Sequence, residues 1–308
     1  MSGPALVALV GPTASGKTAA AVALARRFDG ELIGADSVQV HRGFDIGSGK
    51  ARPEELGGIP HHLLDVLEPC ERLDAAAFAA RADAAIEDVA GRGKLPIVVG
   101  GTPLWMRALL RGLVALPGVD ARLRGALQAR IAVEGAPALH AELAAVDPAS
   151  AARIHPNDAR RIGRALEIWQ QTGQRPSVLR DAHALGAARR PSWVAYVELP
   201  RDEHDRAIEA RVDAMLTRGW LEETQRLRER WPEAAALGAV GYRELVQHLS
   251  GELSLAEARA QAIASTRRYA KQQRTWYRSE PGITVRTSAA ALIAGAHDGA
   301  LRTFLGAA

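Results

Sequence analysis

Apolar residues follow two rhythms along this chain. Mostly apolar runs occur at Ala5–Val10, Leu95–Val99 and Trp193–Leu199, with a shorter one over Glu31–Ala35, and each stops at a cluster of small or polar residues. Runs of that kind mark strands covered on both faces, as in a parallel sheet. Between them the apolar positions recur at helical spacing. The pattern predicts helices after Gly16, from Asp74 to Gly91, from Asp202 to Thr217 with Gly219 as C-cap, and from Leu221 to Trp231. Ser254-Leu-Ala-Glu257 is a capping box that opens a long helix reaching about Arg278.

One stretch keeps neither strand runs nor the alternating order. From Pro117 to Arg190, Ala and Arg dominate, and helical segments are broken at Gly135, Pro137, Pro148, Pro156 and Gly173. The expected architecture is therefore α/β: a parallel-sheet core of the P-loop NTPase kind, built from residues 1–116 and 191–308, with a helical insertion over 117–190. His41–Pro69, rich in Gly, Pro and charge, reads as a substrate loop. The tail from Ser288 reads as a peripheral helix without chemistry.

Composition narrows the function. With 47% hydrophobic and 24% charged residues among 308, the chain is that of an ordinary globular protein. Basic and acidic residues number 39 and 35, so affinity for a polyanion depends on where the Arg residues cluster rather than on net charge. Two places stand out: the stretch from Arg153 to Arg190, and the last long helix, where Arg267, Lys271, Arg274 and Arg278 recur at spacings of three or four, interleaved with Tyr269, Gln272, Gln273, Trp276 and Tyr277. Such a stripe is either a solvated face or an RNA surface. Cys70, the single cysteine, excludes an internal disulfide and is expected to be a buried apolar side chain. Adjacent His61 and His62 lack a third ligand at useful spacing, so no metal site is expected there. No signal peptide or membrane-length apolar run is evident, and a cytoplasmic protein is expected.

The sharpest chemical signal follows the first strand. Gly11-Pro12-Thr13-Ala14-Ser15-Gly16-Lys17-Thr18 has the spacing G-x-x-x-x-G-K-T between a strand and a helix. There backbone N–H groups can curl round phosphate oxygens at a helix N-terminus, Lys17 adds a point charge, and the Thr18 hydroxyl can reach Mg²⁺. Asp36, at the end of the next strand, falls where an open α/β sheet handles ligands, although an Asp there can equally cap a turn. The strand ending in Gly100-Gly101-Thr102 lacks the metal-binding Asp common in ATPases of this fold. Three readings fit the residues: a small-molecule kinase with Asp36 as base, an enzyme whose loop holds a departing diphosphate while a nucleic acid brings the nucleophile, or a nucleotide-regulated RNA-binding module.

Seven blocks in order resemble the tRNA dimethylallyltransferase family: Gly11–Thr18, Ala35-Asp-Ser-Val-Gln39 continuing to Gly47, Pro60-His-His-Leu-Leu-Asp65, Val99-Gly-Gly-Thr102, Ile154–Asp158 with Arg161–Glu167, Gly238–Tyr242 and Gln273-Arg-Thr-Trp276. They span most of the chain. The resemblance implies transfer of a dimethylallyl group from dimethylallyl diphosphate to the exocyclic amine of the adenosine 3′-adjacent to a tRNA anticodon, with Mg²⁺. It assigns the departing diphosphate to the loop and Arg211, the base to Asp36, and a hydrogen bond near the reacting atoms to Thr102. The tRNA anticodon stem-loop would meet Asp36, Ser37, Val38, Gln39 and Thr102 at the channel entrance. It would also meet Arg160, Arg161, Ile162, Gly163 and Arg164 on the insertion, and Lys271, Gln272, Gln273, Arg274, Thr275 and Trp276 on the last long helix. A monomer is expected. The chain departs from the family pattern at His41, at Pro103-Leu104-Trp105, at Arg160 and at Gln272, where the family commonly shows Tyr, Gly-Leu-Tyr, Gln and Arg.

Overall fold

Strand β1, Leu6–Val10, is wholly buried, as an unbroken Val/Leu run demands. It is the hub of a six-stranded sheet. The computed structural model describes residues 3–114, 116, 118–182 and 188–307. After β1 come α1 (Lys17–Phe28), β2 (Gly30–Gly34), a short α2 (Pro53–Leu56), β3 (His61–His62), α3 (Ala75–Gly91), β4 (Leu95–Gly100) and α4 (Pro103–Arg111). The sheet is completed by β5, Ser192–Val197, and β6, Val285–Thr287, in the order β3-β2-β4-β1-β5-β6. All five pairings are parallel. Every strand therefore delivers its carboxyl end to one edge, and the phosphate loop leaves the central strand there.

The chain divides into two compact units, Met1–Gly112 with Ala188–Ala308, and Leu113–Ala187. The second unit holds α5 (Ala121–Glu134), α6 (Ala136–Val146), α7 (Pro148–Ala151), α8 (Ala159–Thr172) and α9 (Pro176–Ala182) around its own core of Leu127, Leu139, Leu143, Ile162 and Leu166. Buried Asp147 joins two of its helices, accepting from the Ser150 N–H at 3.0 Å and from the Ser177 N–H and hydroxyl at 2.9 and 2.7 Å. Arg189 and Arg190, counted above with the insertion's basic residues, lie on the first unit and pair with Asp83 at 2.8 and 2.5 Å. His183–Ala187 and Pro117 lie outside the described residues.

The first unit continues through α10 (Arg201–Thr217), α11 (Trp220–Arg230), a 3₁₀ turn at Ala235–Gly238, α12 (Tyr242–Leu249) and α13 (Leu255–Arg278), ending with α14 (Ala289–Ile293) and α15 (Asp298–Ala307). Ser254 and Glu257 form the expected capping box on α13.

Three expectations need correction. Cys70 is exposed, because it sits in a solvent-facing turn between β3 and α3 rather than on a packed element. The C-cap of α10 is Arg218, and Gly219, left-handed at φ 95°, is instead the N-cap of α11, so one glycine joins the two helices. The tail is not peripheral: Ala289, Leu292 and Leu301 belong to the same buried cluster as α1 and β1, and Arg27 pairs with Asp298 at 3.1 Å.

Among the described residues, no helix is long and apolar enough to cross a membrane.

Candidate active site

Gly11 opens the phosphate loop at φ 145°, packed so closely that a Cβ there would stand 2.2 Å from the Val197 carbonyl oxygen. Only glycine lets β1 end against β5 in this way. Ala14 and Gly16 follow in the left-handed region, at φ 60° and 84°, and Gly16 is the N-cap of α1. Backbone N–H groups with no intrahelical partner thereby gather at a helix N-terminus, which suits an anion. Residues 13–19 form one wall of a cavity of about 590 Å³, whose other walls include Asp36, Gln39, Ser48–Ala51, Gly100, Gly101, Arg211, Tyr269 and Gln273.

The cavity is cationic at its loop end. The Lys17 ammonium, buried, donates to the Pro12 carbonyl at 2.5 Å. Burial chiefly, with the Arg211 charge adding to it and Asp36 opposing, brings Lys17 down to about 7. Burial likewise lowers Arg211, which is steadied by Asp36 and donates to the Ser48 carbonyl at 3.4 Å. Two buried cations that share the Asp36 carboxylate leave net positive charge there, a site prepared for an anion. An anion seated there should raise the pKa of Lys17, so at pH 7 each bound diphosphate should draw in about half a proton beyond its own titration. Affinity should then fall as pH rises past about 7. Calorimetry in buffers of different ionisation heat checks this; an uptake that survives in Lys17→Met would assign the proton elsewhere.

Asp36 follows β2. Its Oδ1 accepts from the Val38 and Gln39 N–H groups at 2.9 and 3.3 Å, so it does cap a turn. Among the described residues Oδ2 takes no hydrogen bond, and the carboxylate lines the cavity. Thr102, the N-cap of α4, does not line the cavity. Its hydroxyl accepts from the Ser37 N–H at 3.2 Å and lies beside the Tyr269 hydroxyl, which also neighbours Gln273. Burial and the nearby Asp36 charge raise the Tyr269 phenol above its usual value.

The other expected contacts divide. On α13, Lys271, Gln272 and Thr275 are exposed, whereas Gln273 is buried and donates to the Gly101 carbonyl at 2.6 Å while accepting from the Thr13 N–H at 2.9 Å. Arg274 is half-buried against His204, and Trp276 is half-buried beneath the Arg107 guanidinium, 4.3 Å from its ring centre. The basic stripe is thus split: Arg267 pairs with Glu209 at 3.3 Å, and Lys271 and Arg278 stay exposed. On the insertion, Arg160 and Arg161 are exposed, Ile162 is in that unit's core, Gly163 is half-buried, and Arg164 pairs with Glu167 at 2.9 Å. Ser37 is exposed, and Val38 and Gln39 are half-buried, Gln39 donating to the Ser48 carbonyl at 3.0 Å.

Sequence reasoning missed what holds the Asp45–Lys50 loop against this cavity. The buried Glu223 carboxylate accepts from the Asp45, Ile46 and Gly47 N–H groups at 3.1, 2.7 and 3.1 Å and from the Tyr242 hydroxyl at 2.6 Å. Trp220 packs so tightly on the loop that a Cβ on Gly47 would lie 1.8 Å from its Nε1. Lys50 ties the loop's far side to Asp45 and Asp65 at 2.8 and 2.5 Å. The one sequence signal was the Gly238–Tyr242 block, which supplies Tyr242.

A parallel sheet whose central strand ends in a glycine loop at a helix N-terminus, with a carboxylate facing the same cavity, defines a protein of the phosphate-loop class. Comparison with known proteins supplies the particular family. A family model described as IPP transferase matches residues 39–280, and one described as isopentenyl transferase matches residues 4–69. The chain is 53% identical over 279 residues to the tRNA dimethylallyltransferase of Anaeromyxobacter dehalogenans, covering 90% of this chain and 93% of that one. The crystal structure of the full-length tRNA isopentenylpyrophosphate transferase from Bacillus halodurans matches with a TM-score of 0.71 at 36% identity, over 97% of this chain and 96% of that one. A eukaryotic dimethylallyltransferase acting on tRNA matches with a TM-score of 0.78 at 27% identity, over 97% of this chain and 77% of that one. The chain belongs to the tRNA dimethylallyltransferase family of prenyltransferases.

Proposed function

We propose that this chain transfers the dimethylallyl group of dimethylallyl diphosphate to N6 of the adenosine 3′-adjacent to the anticodon. The observation that carries the reading is one cavity lined by Lys17, Arg211 and loop residues 13–18 together with Asp36, whose Oδ2 takes no hydrogen bond among the described residues. In the proposed reaction the bond between the allylic carbon and the bridging oxygen breaks, a bond from N6 to that carbon forms, and the N6 proton passes to Asp36. The departing diphosphate gathers negative charge, and fixed donors with Lys17 and Arg211 stabilise it without reorganising. Thr102 ties the end of β4 to Ser37, next to Asp36.

Mg²⁺ fits this site. The Thr18 hydroxyl and the Asp36 carboxylate are hard oxygen donors on the cavity wall. Among the described residues no group of three or more His, Cys, Asp or Glu could hold an ion unaided, so diphosphate oxygens would complete the shell with Thr18. Bound there, Mg²⁺ would neutralise part of the leaving group's charge.

The acceptor is a tRNA anticodon stem-loop, whose target adenine must leave its stack to reach Asp36. Exposed Lys271, Gln272, Thr275 and Arg278 on α13, and exposed Arg160 and Arg161 on the insertion, suit phosphate and base contacts. In the proposed reading the enzyme acts as a monomer in the cytoplasm. The test is a mass measurement on anticodon stem-loop RNA incubated with the protein and either dimethylallyl diphosphate or ATP. Prenylated RNA with the first donor supports the reading. Product formed only with ATP would favour a kinase, and none with either a binding module.

A further inference from the structure

Beyond its own Lys17–Pro12 bond, the phosphate loop is held at one residue by a neighbouring pair of helices. Both polar backbone groups of Thr13 are taken. Its N–H donates to Gln273 Oε1 at 2.9 Å, and its carbonyl meets His204 Nε2, from α10, at 2.7 Å. His204 is fully buried, and its other ring nitrogen, Nδ1, faces Arg274 Nη1 at 2.6 Å. A guanidinium nitrogen can only donate, so Nδ1 must be bare, and the single imidazole proton sits on Nε2, aimed at the Thr13 carbonyl. Arg274 thereby fixes the tautomer that the loop requires. The next residue, Ala14, is a non-glycine at φ 60°, a conformation that persists where its surroundings impose it.

We propose that His204 is a positioning residue for the phosphate loop, set in its Nε2–H form by Arg274, and that this pair with Gln273 makes the loop's grip on a diphosphate depend on α13. The inference deepens the proposed function and rests on it, since it takes the loop's anion to be the donor's diphosphate. It gives α13 two jobs: exposed Lys271, Gln272 and Thr275 face outward, while Gln273 reaches the loop and Arg274 reaches His204 behind it.

Proton binding should undo the clamp. A protonated ring would carry a hydrogen on Nδ1 against the Arg274 guanidinium. The charged groups acting on His204 are Arg274 from α13 and Lys17 from the start of α1, both opposing protonation, and Asp205 from α10, favouring it; burial is the largest influence and lowers the imidazole below its usual value. The clamp is intact at neutral pH and is lost only as pH falls through that lowered pKa.

The experiment measures binding of inorganic diphosphate to the full chain by calorimetry between pH 5.5 and 7.5, with the KM for dimethylallyl diphosphate and kcat determined alongside. His204→Phe should weaken diphosphate binding about tenfold at pH 7.5, the scale of one buried hydrogen bond, and raise KM more than it lowers kcat. His204→Gln keeps an amide donor that does not titrate, so it should stay within about threefold of the wild type at pH 7.5 and lack the additional weakening the wild type shows in acid. Arg274→Ala leaves the tautomer unset and removes the guanidinium that a protonated ring would face, so it should weaken binding at pH 7.5 and lose the additional weakening in acid. Titration of the ligand and of Lys17 is common to all variants and cancels in the comparison. Unchanged binding in His204→Phe, or the wild-type acid profile in His204→Gln, would overturn the clamp alone. A wild type that binds no diphosphate would overturn the clamp and the proposed donor together.

Discussion

Replacing Asp36 by Asn is expected to lower turnover by roughly 10²- to 10⁴-fold, the scale of losing a general base. The substitution is informative because Asp36 has two separable duties. Its Oδ1 caps a turn through the Val38 and Gln39 N–H groups, and an Asn carbonyl oxygen can accept those same bonds. What Asn cannot do is take a proton from an amine whose lone pair is shared with a purine ring. The variant should therefore keep its unfolding midpoint and its affinity for anticodon stem-loop RNA while losing single-turnover rate. Near-normal turnover would leave Asp36 as a turn cap only.

The second large effect is expected far from the proposed chemistry. Glu223→Ala removes the acceptor of three loop N–H groups and of the Tyr242 hydroxyl in a buried position. Orphaned buried donors cost ~1–3 kcal/mol each, and water entering the gap recovers part of that, so a stability loss of about 3 kcal/mol is expected. The Asp45–Lys50 loop carries Ser48 and Gly49, whose carbonyls receive Gln39, and Ser48 also receives Arg211. Freeing the loop should thus loosen Arg211 and cut turnover by about a hundredfold, the cost of a misplaced charged group. Denaturant unfolding and turnover, measured on Glu223→Ala and on Glu223→Gln, check this. Because Gln retains one acceptor oxygen, it should lose less on both counts. A loss below ~1 kcal/mol for Glu223→Ala would mean the loop finds other partners.

The sequence made the sheet's inner strands and the phosphate loop readable, because both are written in short-range patterns. β1, β2, β4 and β5 fall on their apolar runs to within two residues at either end, and Gly11 and Gly16 sit where backbone geometry needs them. The edge strands were not readable. β3 is His61–His62 and β6 is Val285–Thr287, too short for any alternation to register, and both exist because a neighbouring strand is already in place. The residues that shape the site were hidden for another reason. Glu223 lies 178 residues from Asp45, and His204 lies 191 from Thr13, so nothing local distinguishes either from a surface residue on an amphipathic helix. The basic stripe on α13 shows the converse error. Periodicity put Arg267 and Arg274 on one face with Lys271 and Arg278, but α10 lies against part of that face and brings Glu209 and His204 to meet them.

The most direct measurement is a crystal structure of the protein with an anticodon stem-loop and an unreactive analogue of dimethylallyl diphosphate. The account places the diphosphate within hydrogen-bonding distance of the backbone N–H groups of the Gly11–Thr18 loop, beside Lys17 and Arg211, and the Asp36 carboxylate within reach of the adenine N6. A diphosphate bound away from that loop, or an adenine amine out of reach of Asp36, would contradict it.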